Sequence, residues 1–192
     1  MPVVIRIDDL MYSGIRAHLL QNELEHVCFL YYSTHFNKGT YFMDVQDLYI
    51  VPADEYDYQH ELHVSLKEEC QSKVIKKAWD KNLSLGEIHS HPASRSAVFS
   101  EFDISGFKEF VPHIWWRLKK GPYFALVISQ LQIDALAWIK GPESHEAIKR
   151  IEVGNSPVYP SNYTLEQMEE DRWGRIFSID SWPYLGKMAR RN

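Results

Sequence analysis

Helix-like and strand-like patterns alternate along this chain, and that alternation is the feature that most constrains its fold. Apolar residues recur at roughly helical spacing over 8–22, and the apolar and aromatic run 27–32 is typical of a buried strand. The same patterns predict strands over 41–51, 60–66, 83–90, 123–129 and 132–140, and helices over 67–81, 103–110 and 113–120. Such an order is typical of a mixed α/β domain, in which helices flank a central β-sheet.

Prolines, glycines and charged stretches divide these elements. The acidic stretch 54–57 predicts a loop, and Pro112 is expected to break or restart the helix that it follows. The pattern changes after Gly154, where prolines mark a loop, and 165–173 is a candidate for a short polar helix. The chain of 192 residues therefore predicts one domain over 1–154 and a C-terminal extension over 155–192.

Composition excludes several classes of function. A net charge of -5 provides no general attraction for phosphate backbones, so nucleic acid is not an expected partner. Asp8 and Asp9 interrupt the segment that a signal peptide would need, and no apolar run reaches membrane-spanning length. The two cysteines, Cys28 and Cys70, are too few for a disulfide scaffold and are interpreted as packing residues. We therefore expect a soluble cytoplasmic protein without a membrane partner.

The segment Gly86-Glu87-Ile88-His89-Ser90-His91-Pro92, followed by Ser100-Glu101-Phe102-Asp103, carries the most chemical information. Side chains two residues apart on a strand leave the same face, so His89 and His91 can present two imidazoles to one metal ion. Ser100 precedes a predicted helix, which places Asp103 in the first turn, where its carboxylate can be a third ligand. Three protein ligands and one open position are typical of a catalytic zinc site.

Each half of this pattern also has a purely structural interpretation. A His-x-His pair on a strand is often polar surface or a hydrogen-bonded pair. A serine followed three residues later by an acidic residue resembles a helix-capping device. The combination favours a metal site, because a predicted strand leads into the histidines and a helix begins within a dozen residues of them.

His89-Ser90-His91-Pro92 and Ser100-x-x-Asp103 together resemble the signature of the JAMM/MPN+ metallopeptidases, also called JAB domains. These enzymes cleave isopeptide or peptide bonds after ubiquitin and ubiquitin-like proteins. The order of elements from about 8 to 138 is also similar, so the resemblance implies a single MPN/JAB-type domain with one Zn²⁺ per chain. One departure is that the family usually has seven residues between the second histidine and the serine, whereas this chain has eight, 92–99.

The resemblance also implies catalytic roles. The family's general base is a glutamate at the entry to the first strand, and Glu25-His26-Val27-Cys28 matches its pattern. Glu25 would move protons between water and the leaving amine, and Ser100 would hydrogen-bond the developing oxyanion. Glu23 has the same strand parity and is an alternative base, and His26 is interpreted as a surface residue. Glu87 shares the face of the two histidines, where it could hydrogen-bond a ligand without contacting the metal itself or could be ordinary strand surface.

The implied substrate is a ubiquitin-like protein or its conjugate, cleaved after the C-terminal residue of that protein. An adenylating enzyme of the ubiquitin-activating kind is an implied partner in the same pathway. Two alternatives are a hydrolase that processes a small sulfur-carrier protein and a non-catalytic MPN-type scaffold. A scaffold of that kind is expected to lack one or more of the metal-ligand residues, whereas this chain has all three. The 93–97 loop and the Trp115-Trp116 pair are candidates for shaping the approach of substrate, while the tryptophans are also expected in the core.

Overall fold

The computed structural model describes residues 1–119 and 121–161, which lie within one compact unit. This part of the chain contains three α-helices and two β-sheets. The helices are α1 (Asp9–Leu19), α2 (Glu68–Lys81) and α3 (Glu101–Leu118). The strands are β1 (Val3–Ile7), β2 (Val27–Asn37), β3 (Thr40–Ile50), β4 (Tyr56–Gln59), β5 (Val64–Leu66), β6 (Ser84–Ser90), β7 (Tyr123–Ile128), β8 (Ile133–Trp138), β9 (Glu146–Ala147), β10 (Arg150–Val153) and β11 (Ser156–Val158).

The large sheet contains both parallel and antiparallel pairs, which confirms the predicted mixed α/β class. Its strand order is β11-β10-β1-β3-β2-β6-β7-β8-β9. The central strand β2 runs antiparallel to β3 and β6, whereas β6 runs parallel to β7. The β2–β6 register pairs Val27 with His89, so the start of β2 lies beside the end of β6.

The two faces of the sheet pack against different helices. One face carries Cys28, Leu30 and Tyr32, which form a core cluster with Ile15 and Leu19 of α1. Side chains alternate along a strand, so the residues between them lie on the opposite face. Tyr31 Oη donates a hydrogen bond to the carbonyl oxygen of Val74 in α2, and the Phe29 ring lies 6.3 Å from that of Phe110 in α3. His89, opposite Val27, therefore faces α2 and α3.

The expectation that Pro112 would break or restart a helix is wrong, because α3 continues through it. A proline inside a helix costs about 3 kcal/mol through its missing hydrogen bond and its ring clash. Each fully buried large apolar side chain contributes about 1.5–3 kcal/mol. The buried side of α3 supplies four such side chains, which together outweigh the cost of the proline: Phe107, Val111, Ile114 and Leu118.

The expected core position of the tryptophans is wrong for Trp116, whose surface is 66% exposed. It lies outside the buried stripe of α3. Trp115 is partly buried, and its ring packs against Gly121. A Cβ added at Gly121 would lie only 2.1 Å from the nearest carbon of that ring. The absence of a side chain at Gly121 therefore makes room for the Trp115 ring.

Two stretches between β3 and α2 differ from their predicted structure. The predicted loop over 54–57 includes the start of β4, where the buried Tyr56 accepts a hydrogen bond at its Oη from Val27 N. The predicted strand over 60–66 is shorter, because only Val64–Leu66 pairs with β4. Tertiary contacts of Tyr56 outweigh the loop propensity of the acidic residues around it. The resulting hairpin lies beside the start of β2.

Both ends of the large sheet include strands that the patterns did not predict: β11, β10 and β1 lie at one end, and β9 lies at the other. The predicted boundary at 154 falls in the turn between β10 and β11, where Gly154 has φ +57°. The remainder of the predicted extension, with its helix candidate over 165–173, lies outside the described residues.

Candidate metal centre

The end of β6 brings His89 and His91 to the same side of the sheet. Ser90 N donates to the carbonyl oxygen of His26, and His91 N donates to that of Ile128 at 2.8 Å. The segment therefore stays extended past the end of the strand, held on both sides. Gly86 is needed in this strand because an added Cβ would lie 2.7 Å from the Phe124 ring. These contacts determine where both imidazoles point.

A capping box at the start of α3 positions the carboxylate. Ser100 Oγ accepts a hydrogen bond from Asp103 N at 3.1 Å, and Ser100 N donates to Asp103 Oδ2 at 2.6 Å. The capping interpretation of this motif is therefore confirmed, and it coexists with a place for Asp103 beside the histidines. The eight-residue segment before Ser100 is anchored by buried Ala97 and Phe99, and the cap forms directly after it.

Three side chains converge to form a group that could hold a metal ion: His89, His91 and Asp103. The distance is 3.5 Å from His89 Nε2 to Asp103 Oδ1 and 3.4 Å from His91 Nε2 to Asp103 Oδ2. Ligand atoms about 2.0–2.1 Å from a tetrahedral zinc ion would lie about 3.3 Å apart. His89 Nε2 is buried and makes no hydrogen bond to any described group. An orphaned imidazole nitrogen facing a carboxylate is the donor arrangement that a cation would satisfy.

Electrostatics hold the metal-free cluster as an ion pair. Burial opposes protonation of His89, but the carboxylates of Asp103 and Glu87 outweigh it and raise the His89 pKa to about 10. Burial would also raise the pKa of Asp103, but His89 and His91 hold that pKa well below its usual range. A bound cation would replace the proton on His89 as the positive partner of the Asp103 carboxylate.

Glu25 is buried beside this cluster. The register that pairs Val27 with His89 brings Glu25 opposite His91, and Glu25 Oε1 is 3.5 Å from His91 Nε2. The hairpin fixes its backbone, since Glu25 N donates to the carbonyl oxygen of His60. Burial raises the pKa of the Glu25 carboxyl to about 7. Glu23, the alternative base, is exposed to solvent.

The prediction that His26 is a surface residue is wrong. His26 is buried, its Nε2 lies 2.9 Å from Asn22 Oδ1, and its Nδ1 lies 3.2 Å from Gln59 Nε2. Its backbone N also donates to Ser90 Oγ. His26 therefore holds the start of β2 against the end of β6, on which the candidate ligands lie. Glu87 is also largely buried, and its carboxylate faces His89 Nδ1.

A groove of about 710 Å³ opens beside the cluster, between the sheet and helices α2 and α3. Glu87, His89 and Asp103 line one part of it, and the hairpin strand β5 lines another. Phe102, Phe107 and Phe110 of α3 supply apolar surface. The sequence motif did not indicate this groove, because its walls come from segments that only the fold brings together. An extended chain in the groove would lie next to the candidate ligands.

No protein-family model matches this chain, and a search of curated proteins found no significant match. Within the part of the chain that the structure describes, no helix has the length and apolar character needed to cross a membrane.

Proposed function

We propose that this chain is a zinc-dependent peptidase of the JAMM/MPN+ kind, with an MPN/JAB-type domain. The observation that carries the proposal is the convergence of His89, His91 and Asp103 beside Glu25, at the edge of an open groove. The sequence signature and this geometry are independent supports, because the signature specifies residue types while the fold decides whether they meet.

The donor set favours zinc among the common metal ions. Two imidazoles and one carboxylate suit Zn²⁺, whereas Mg²⁺ and Ca²⁺ prefer sites made of oxygen ligands. Three protein ligands leave a position open for water or substrate, as in other catalytic zinc sites. When bound, zinc would supply Lewis acidity and would lower the pKa of a coordinated water molecule to about 7.

The residues around the metal have complementary tasks. Glu25 would accept a proton at Oε1 from the attacking water and would return it to the leaving amine. Its raised pKa, about 7 in the metal-free protein, is suited to a group that must both accept and release a proton. Ser100 Oγ accepts its hydrogen bond from Asp103 N, so its own hydroxyl proton would be available for the developing oxyanion.

The groove supports an extended polypeptide as the substrate. Strand β5 pairs with β4 along one edge, and no other described strand pairs with its second edge. A substrate strand could add to this free edge, with main-chain hydrogen bonds providing affinity. The C-terminal tail of a ubiquitin-like protein is such a segment, and its last carbonyl could reach the metal. An adenylating enzyme that acts on the same ubiquitin-like protein is the proposed pathway partner.

Ser100→Ala tests the proposed oxyanion role separately from helix capping. Loss of the cap should lower the free energy of unfolding by about 1 kcal/mol. Loss of an oxyanion donor should lower the rate per folded molecule on the order of a hundredfold. Steady-state kinetics corrected for the folded fraction distinguish these effects. A rate per folded molecule equal to that of the parent protein would contradict the oxyanion role and show that Ser100 only caps the helix.

The proposed function is tested by incubating the zinc-loaded protein with a ubiquitin-like domain that carries a C-terminal extension. We expect one cut, immediately after the last residue of the ubiquitin-like domain, and intact-mass spectrometry maps the new C-terminus. A chelator should abolish the cut, and added zinc should restore it. Scattered cleavage of unfolded protein, with the folded fusion left intact, would indicate a general peptidase instead.

A further inference from the structure

Glu87 precedes His89 by two residues on β6, so both side chains leave the same face of the sheet. The distance from Glu87 Oε1 to His89 Nδ1 is 3.6 Å. That is longer than a hydrogen bond, but a movement of less than about 1 Å would make it one. The opposite ring nitrogen, Nε2, faces Asp103. The imidazole therefore lies between two carboxylates, one at each nitrogen.

Tyr123 holds the other oxygen of Glu87. Strands β6 and β7 pair Glu87 with Ala125, so Tyr123, two residues before Ala125, lies on the same face as Glu87. Its Oη donates to Glu87 Oε2 at 2.6 Å. Burial, with the charge of Glu87, raises the pKa of Tyr123 well above its usual value, so the hydroxyl remains a donor. The Tyr123 ring packs against Phe110 and Trp138.

A metal ion bound at Nε2 of His89 would fix the position of the proton on that ring. A neutral imidazole that binds a metal through Nε2 carries its proton on Nδ1. The His89 side chain is only 3% exposed, so that N–H has little access to solvent and needs an acceptor within the protein. Glu87 Oε1 faces the nitrogen in question. A carboxylate at this position would select the tautomer, orient the ring and make Nε2 a better ligand.

We infer that Glu87 is a positioning residue, held by Tyr123, that orients His89 as a metal ligand through Nδ1. The inference rests on the proposed metal centre and extends it to two residues that are not among its three candidate ligands. Glu87 also lines the groove, but both of its carboxylate oxygens are directed towards protein donors rather than into the groove. Its main task is therefore to support His89, not to bind substrate.

Glu87→Gln tests this role, because glutamine keeps the shape of the side chain and removes its charge. We expect the affinity for Zn²⁺, measured by competition with a chromogenic chelator, to fall 10-fold to 100-fold. Tyr123→Phe leaves Glu87 in place without its anchor, and we expect a smaller fall of about threefold to tenfold. Glu109→Gln removes a carboxylate from another wall of the groove and should keep zinc affinity within about twofold of the parent.

The thermal unfolding of each metal-free variant is measured in parallel, so that affinity is expressed per folded molecule. Glu87→Gln that is folded and binds zinc within twofold of the parent would overturn the inference. If Glu87→Gln does not fold, Tyr123→Phe decides, and an unchanged affinity in that variant would overturn it. A parent protein that binds no zinc would instead contradict the proposed function itself. The two failures are thus distinguishable.

Discussion

Glu25→Gln should abolish hydrolysis while the protein keeps its fold and its zinc. The substitution removes a proton carrier and leaves the three candidate ligands in place. General acid–base catalysis contributes about 10²-fold to 10⁴-fold to a rate, so we expect a fall of at least that size. Single-turnover assays on the extended ubiquitin-like fusion, with zinc content measured on the same sample, provide the comparison.

Glu23→Gln is the matched control, since Glu23 has the same strand parity but is exposed to solvent. It should cleave at nearly the parent rate. The opposite result, an active Glu25→Gln beside an inactive Glu23→Gln, would assign the base to Glu23.

Stability provides a second check on Glu25. Burial raises its pKa from 4.5 to about 7, so its folded form binds the proton more tightly than its unfolded form. This tighter proton binding adds to the free energy of unfolding, and its contribution is fully present below pH 4.5 and is lost as the pH rises through about 7. At pH 8 a charged Glu25 therefore disfavours folding, and Glu25→Gln should not destabilise the metal-free protein.

The candidate ligands could be identified from the sequence because their arrangement depends on local geometry. The two histidines share a face through the period of a strand, and Ser100 with Asp103 forms a capping box through the spacing of one helical turn. Each relation spans fewer than five residues. That the two pieces meet was expected because a predicted strand leads into the histidines and a helix begins within a dozen residues of them, and the structure brings them within 3.5 Å of each other.

The remaining features depend on contacts between distant segments. Glu23 and Glu25 are two residues apart, so an extended chain would place both on the same face. Only the pairing of β2 with β6 brings Glu25 next to His91. The buried ring of His26 has Gln59 as one of its partners, 33 residues away in the sequence. The groove combines β5, α2, α3 and the sheet. Such features follow from tertiary packing, which propensity and periodicity do not encode.

His91→Ala should remove the metal. Zinc-finger sites, which have four protein ligands, bind Zn²⁺ with about 10–16 kcal/mol, or about 2.5–4 kcal/mol per ligand, so losing one imidazole should weaken binding on the order of a hundredfold to a thousandfold. His91 is suited to this test because its side chain is 13% exposed, whereas truncation of the more deeply buried His89 would also leave a cavity. His35→Ala is the matched control, since His35 lies towards the far end of β2 and pairs with Asp44.

Elemental analysis of the protein purified without chelators tests the metal centre most directly. The parent protein and His35→Ala should each contain about one zinc per chain, and His91→Ala should contain almost none. A folded parent protein that carries no transition metal, and acquires none when zinc is added, would contradict the metal centre and the peptidase mechanism built on it.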